Sequence, residues 1–266
     1  MAKHLTTSLS TLVLMLTAVS PSLSAEPDIV GLKSGMPFSE VRDILSKRTK
    51  GYPVDTENDV KNIQGSQIRG WSYPGMISIK TPDRLQEFLV QGLAPPNHAK
   101  VASIYRHQML RGEARLLPQK LLAALENKYG PAHFQSDISR RGLAWLWSWS
   151  VDPAGNPITD QQDVLACVGK GGNTIDATMK THAMQVAWIS DAQSHANGTL
   201  AHCGQVLMVH ASADGSGVLM SYSTLLYDLG AIQASNRETV QLTITERKKL
   251  EQERKEQLEN AAVPDL

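Results

Sequence analysis

Apolar positions in this chain fall into short runs of two kinds, separated by turn residues. Phe38, Val41, Ile44 and Leu45 recur at helical spacing behind Pro37, which suits a first helical turn, and Gly51 and Pro53 end the element. Leu121, Leu122, Leu125 and Tyr129 repeat that spacing in a helix over Pro118–Tyr129, stopped by Gly130-Pro131. Other runs have strand character. Trp71–Ile79 and Leu85–Leu93 are of this kind, with Pro74-Gly75 as a turn or kink in the first. Pro95-Pro96-Asn97 marks a turn, after which Val101, Ser103, Tyr105 and His107 alternate with Ala102, Ile104, Arg106 and Gln108. Leu85–Leu93 and Val101–Leu110 therefore read as a hairpin.

Leu143–Val151 carries the clearest alternation: Leu143, Trp145, Trp147, Trp149 and Val151 against Ala144, Leu146, Ser148 and Ser150. A strand with one apolar face normally buries it, so the tryptophan ladder is expected against the Pro118–Tyr129 helix rather than serving as a carbohydrate or aromatic-ligand platform. Val164–Val168 reads as a short strand carrying Cys167, and Met184–Ile189, Gln205–Ala211 and Gly217–Leu226 as further strands. Ser212–Ser216 is a hairpin turn by composition. The polar stretches Asp55–Gly70, Asp152–Asp163 and Gly169–Thr181 read as loops.

The tail changes character. From Asn236 to Ala262, Glu, Lys, Arg and Gln dominate, with opposite charges at Arg247/Glu251, Lys249/Glu253, Glu251/Lys255 and Lys255/Glu259. Leu250 and Leu258 are too sparse for a coiled-coil seam. This predicts a solvated, charged C-terminal helix; the alternation of Val240, Leu242 and Ile244 leaves a strand ahead of it open. The fold class is α+β, helices packed on antiparallel sheet. The segments are 26–115 and 116–235, either two related modules or one domain, followed by the tail 236–266.

Met1–Ala25 has the order of a secretory signal peptide: Lys3 and His4, an apolar run from Leu9 to Val19, then Pro21 and the small residues Ser22, Ser24 and Ala25. Cleavage falls after Ala25, or after Ser24 with Ser22 as the upstream small residue. The run is about eleven residues against the roughly 20 of a membrane span, so no integral span is expected in the mature form. The localisation read from this is periplasmic or secreted. Export decides how the two cysteines are read: Cys167 and Cys203 are expected as a disulfide, closing a loop worth roughly 3–4 kcal/mol.

Basic and acidic residues number 26 each, so loss of Lys3 leaves the mature chain about one unit negative. With no basic block, the chain lacks the electrostatic footprint of a nucleic-acid or anionic-membrane binder. Chemistry is sparse. Met179, His182 and Met184 are the candidate metal ligands, two thioethers around an imidazole in the manner of a cuprous site, with His195, His202 and His210 downstream. There is no nucleophile elbow; Gly215-Ser216-Gly217 reads as a turn. Cys203 and His202 are neighbours, and on a strand would face opposite ways. The Gly169–Thr174 run lacks P-loop spacing, Asp160 and Asp163 sit in a polar loop, and Asn197-Gly-Thr199 fits a glycosylation sequon that a bacterial host leaves idle. No cofactor and no catalytic residue is read from the chain.

Gly31–Leu45 has a Gly35-Met36 turn, a short helix and then Gly51-Tyr52-Pro53. In this it resembles the opening of small exported bacterial modules, the SmpA/OmlA outer-membrane-assembly lipoproteins and the β-lactamase-inhibitor-protein-like domains. A second, partial copy runs from Leu117 through Gly130-Pro131, Gly142 and Trp145-x-Trp147, without the Gly-Met turn. The resemblance implies helices on an antiparallel sheet and a binding or assembly role; the lipidated cysteine is missing, so tethering is not implied. The leading expectation is an exported, soluble, non-enzymatic binding or accessory protein of the cell envelope, its partner another envelope or secreted protein. An envelope hydrolase with a dispersed site and a periplasmic copper or small-ligand carrier are the alternatives.

Overall fold

The computed structural model describes residues 26–48, 55–61, 71–81, 83, 85–97, 99–139, 142–168, 174–185 and 202–260. The expectations for the signal segment, the Gly51 and Pro53 stop, His195 and the Asn197 sequon lie outside these residues. Eight described strands form one antiparallel sheet: β1 (Asp55–Lys61), β2 (Trp71–Lys80), β3 (Gln86–Gly92), β4 (Val101–Met109), β5 (Phe134–Asp137), β6 (Ala144–Ser148), β7 (Gln205–Ala213) and β8 (Leu219–Asp228). Their spatial order is β1-β2-β3-β4-β8-β7-β6-β5. The described α-helices are α1 (Phe38–Arg48), α2 (Pro118–Tyr129), α3 (Gln161–Ala166), α4 (Ile175–Gln185) and α5 (Leu229–Glu259). Segments 26–115 and 116–235 each open on a helix and contribute four strands, the second adding α3, α4 and the start of α5, and their last strands, β4 and β8, pair at the centre of the sheet.

Both faces of this sheet are covered. On one, Val41 and Leu45 of α1 and Leu121 of α2 pack over Ile77, Phe88, Ile104, Leu207 and Leu226. Trp147 and Trp149 belong to the same cluster. The Trp149 indole donates to Gly130 O at 2.8 Å, and its ring lies 5.5 Å from that of Tyr129. The ladder thus packs on α2, as its alternation predicts. On the other face, Val164 of α3, Met179 and Ala183 of α4, and Leu229 and Ile232 of α5 pack over Leu89, Tyr105, Leu146, Met208 and Leu225. Double coverage explains why neighbours such as Leu89/Val90, Ile104/Tyr105 and Leu225/Leu226 are all buried, where a one-sided sheet would bury alternate residues.

The second helical layer is where sequence pattern and structure part. Val164–Val168 is not a strand: α3 runs to Ala166, with Cys167 as its C-terminal cap. The Asp160 carboxylate caps it by accepting from the amides of Gln162 and Asp163, and Val164, Cys167 and Val168 are buried at helical spacing. Gly169–Thr181 is not a loop throughout, nor do Met184 and Gln185 begin a strand; both belong to α4. Thr174 caps α4, its Oγ1 accepting from the Ala177 amide at 3.2 Å. The rest of Met184–Ile189 lies outside the described residues.

Elsewhere the differences are smaller. Asp55–Lys61 is an edge strand rather than loop, formed by backbone pairing to β2 despite its polar composition. Gly75 is skipped in that pairing, a bulge in place of the expected kink. β5 was not expected. α5 begins at Leu229, capped by Asp228, and continues through Val240, Leu242 and Ile244, which excludes a strand there. Cys167 and Cys203 are bonded, Cα–Cα 5.8 Å. The bond ties the end of α3 to the segment entering β7, not two neighbouring strands. No described helix is long and apolar enough to cross a membrane.

Candidate site beneath the second helical layer

Strand register assembles the main cluster of titratable groups. His107 on β4 and His210 on β7 both stand opposite Ser223 on β8. Tyr105 precedes His107 by two residues, so it shares that face. Over this row lies the first turn of α4, carrying Asp176. Three ties hold α4 down on the sheet: Asp176 itself, Lys180 to Glu87 at 2.7 Å, and Ser103 Oγ donating to Ala183 O at 2.5 Å.

Asp176 is the centre. Its Oδ1 accepts from Tyr105 Oη at 2.8 Å and from Ser223 Oγ, and lies 3.6 Å from His107 Nδ1. Ser223 spends its proton on Asp176, so toward His107 Nδ1 at 2.9 Å it is the acceptor and the imidazole the donor. Burial works against ionisation of Asp176; the His107 imidazole and the Ser223 and Tyr105 hydroxyls outweigh it and hold the carboxyl well below the ordinary carboxylate range. Burial, reinforced by Asp176, pushes the Tyr105 phenol far up, and burial pulls His210 down against the attraction of Asp176.

A cleft of about 400 Å³ opens beside this cluster. Ile138, Ala144 and Ile175 form its apolar wall; Thr174, Asp176, His210, Ser212 and Ser221 supply its polar atoms. The Asp176 side chain is 34% exposed. Serine, histidine and aspartate in contact invite comparison with a hydrolytic triad, but the arrangement differs in two respects. Ser223 is 1% exposed, with its proton on the carboxylate. His107 offers the same Nδ1 to both serine and aspartate, whereas a relay uses two ring nitrogens. What the arrangement can do is fix a negative charge at the lip of a polar cleft.

The residues singled out from sequence are distributed differently. Met179 and His182 are buried in the core under α4, and among the described residues His182 Nε2 has no hydrogen-bond partner. At about 100° per residue, Met184 points nearly opposite to His182, so helix formation turns it away from the face that Met179 and His182 share. No group of three His, Cys, Asp or Glu among the described residues is placed to hold a metal ion. His202 lies 3.5 Å from Asp163, beside Cys203 of the disulfide, and His210 enters the cluster. Trp145, the least buried of the ladder, borders a groove of about 280 Å³ between α2 and β5.

Sequence reading missed Asp176, His107, Tyr105 and Ser223 as a group. The available signal was the polar set Ser103, Tyr105 and His107 on one face of a strand; the partners come from segments more than a hundred and about seventy residues away. Comparison with protein-family models, with curated proteins and with solved structures finds no match.

Proposed function

We propose that this chain is an exported, non-enzymatic binding protein of the bacterial cell envelope, and that the cleft beside Asp176 is where it engages its ligand or partner. The observation that carries this reading is the state of the cluster: a carboxylate locked in its charged form faces an open cleft, while the one serine in contact with it is out of reach. A site of this kind selects by charge and hydrogen bonding, and its carboxylate is held by Tyr105, Ser223 and His107 rather than paired with an exposed nucleophile. The Met1–Ala25 segment, the Cys167–Cys203 bond and the Gly35-Met36 opening shared with exported assembly modules support the same reading.

The test is affinity capture from the exported fraction, with wild-type protein and Asp176→Asn compared. A species recovered by the first and lost with the second is expected. The Ser223–His107–Asp176 contact keeps one rival in view, an envelope hydrolase. Turnover of envelope polymers or esters that disappears in Ser223→Ala would establish the rival and overturn the binding reading. The address is checked by N-terminal sequencing of exported protein, expected to begin at Glu26 or Ala25.

A further inference from the structure

Resting on that reading, we infer that the Asp176 cleft is a site for a primary ammonium group, carried by a small amine or by a lysine side chain of a partner. The inference begins with the two oxygens of one carboxylate. Oδ1 accepts from Tyr105 and Ser223 and faces His107; no described residue donates to Oδ2. The anchors therefore fix the orientation of the carboxylate and leave half of its hydrogen-bonding capacity unused.

The cleft does not neutralise that charge from its own lining. Among the described residues its lining contains neither lysine nor arginine. Lys180, one turn along α4, is engaged by Glu87. His210 is held toward its neutral form by burial, so it offers a dipole rather than a cation. A ligand placed here gains by bringing positive charge, and an ammonium gains most because it presents three donors. The surroundings supply the acceptors that the other two donors need: the Ser212 and Ser221 hydroxyls lie in the same lining. Ile138, Ala144 and Ile175 form an apolar wall suited to a methylene chain of the kind that carries an amine in lysine or a diamine. The volume, about 400 Å³, holds such a chain with room for its attachment. An anionic ligand would be repelled by Asp176, and a neutral donor would satisfy Oδ2 without offsetting its charge.

The experiment is calorimetric titration of the intact mature protein with four probes. These are 1,4-diaminobutane, its diacetylated form, Nα-acetyl-lysinamide and Nα,Nε-diacetyl-lysinamide. Saturable binding of the free amines is expected, with a loss of roughly ten- to hundredfold on acetylation. Preference for the diamine over the lysine derivative identifies a free amine as the source, and the reverse identifies a protein lysine; either supports the inference. Asp176→Asn is expected to lose binding by the same factor. Because that variant also disturbs the anchors of α4, Ser221→Leu serves as a second arm, filling the cleft without touching Asp176; it should lose binding with an unchanged near-ultraviolet spectrum. Failure of all probes to bind folded wild-type protein, equal binding of acetylated probes, or full binding by Ser221→Leu would each overturn the inference. Asp176-dependent capture of a partner alongside such a failure leaves the binding function standing and removes only the ammonium.

Discussion

His182 shows how one side chain sets a pH limit on this protein. Its ring is buried 5.1 Å from that of Tyr227, and among the described residues Nε2 has no partner. Burial pulls its pKa down from 6.5 to about 4. The unfolded chain therefore takes up a proton first as pH falls, and stability present above about 6.5 is lost progressively toward 4, by about 3 kcal/mol. His182→Leu should flatten that decline in urea unfolding series run between pH 7 and 4; an unchanged slope would remove His182 as the cause. His210 shifts in the same direction, so the difference between variant and wild type isolates His182. Asp176 adds a second loss at lower pH: its carboxyl is depressed, so its contribution persists above 3.8 and disappears as pH falls below that value. Asp176→Asn should abolish this low-pH component. Neither role was legible in sequence, because burial without a partner is a property of the packed core, not of a histidine in a string.

At the scale of elements, the separation between packed and projecting helix within α5 is sharp. Ser235 Oγ donates to Ala94 O at 2.8 Å, Thr239 Oγ1 to Pro95 O, and Asn97 Nδ2 to Glu238 at 2.7 Å. From Arg247 to Glu259 every residue is exposed, with ion pairs at Lys249/Glu253 and Lys255/Glu259. Truncation after Glu246 should therefore change unfolding free energy by no more than about 0.5 kcal/mol, whereas Thr239→Val, which strands a buried carbonyl, should cost about 1 kcal/mol. Both are read by chemical denaturation. The packed turns of α5 and the exposed arm differ in composition, so the charged arm could be read from sequence; the start at Leu229 could not, since Leu229 and Ile232 also suit a strand. α3 and α4 were missed for a related reason. Five apolar residues at Val164–Val168 fit either period, and the α4 stripe of Ile175, Met179, His182 and Ala183 is diluted by threonine, lysine and aspartate. A tight junction also lies at this level: a Cβ on Gly204 would sit 2.5 Å from Asp152 O, against fixed backbone. Gly204→Ala is expected to destabilise by roughly 1–3 kcal/mol in the same assay.

The described residues form one sheet with a helical layer on each face, and the disulfide holds part of the second layer to it. Cys167 and Cys203 are 36 residues apart in sequence, so the crosslink removes about 4 kcal/mol of unfolded-chain entropy at 25 °C. Replacing both by serine should lower stability by roughly 3–4 kcal/mol and, because the bond caps α3 against the entrance to β7, should loosen amide protection in α3 and α4 before that in α2. Hydrogen exchange that weakens uniformly would contradict this arrangement.

What the chain determines by itself follows from local period and from cysteine number. Helical spacing behind Pro37 and Pro118, alternation in Val101–Leu110 and Leu143–Val151, and a lone pair of cysteines are sufficient for α1, α2, β4, β6, the α+β class and the Cys167–Cys203 pair. Only the tertiary structure decided that β4 and β8 meet, that both faces of the sheet are covered, and that Asp176 descends onto a row of His107, Ser223 and His210. The physical reason is range. Propensity and periodicity act over a few residues, whereas strand register and interlayer packing join segments scores of residues apart, and the candidate site is made wholly of such contacts.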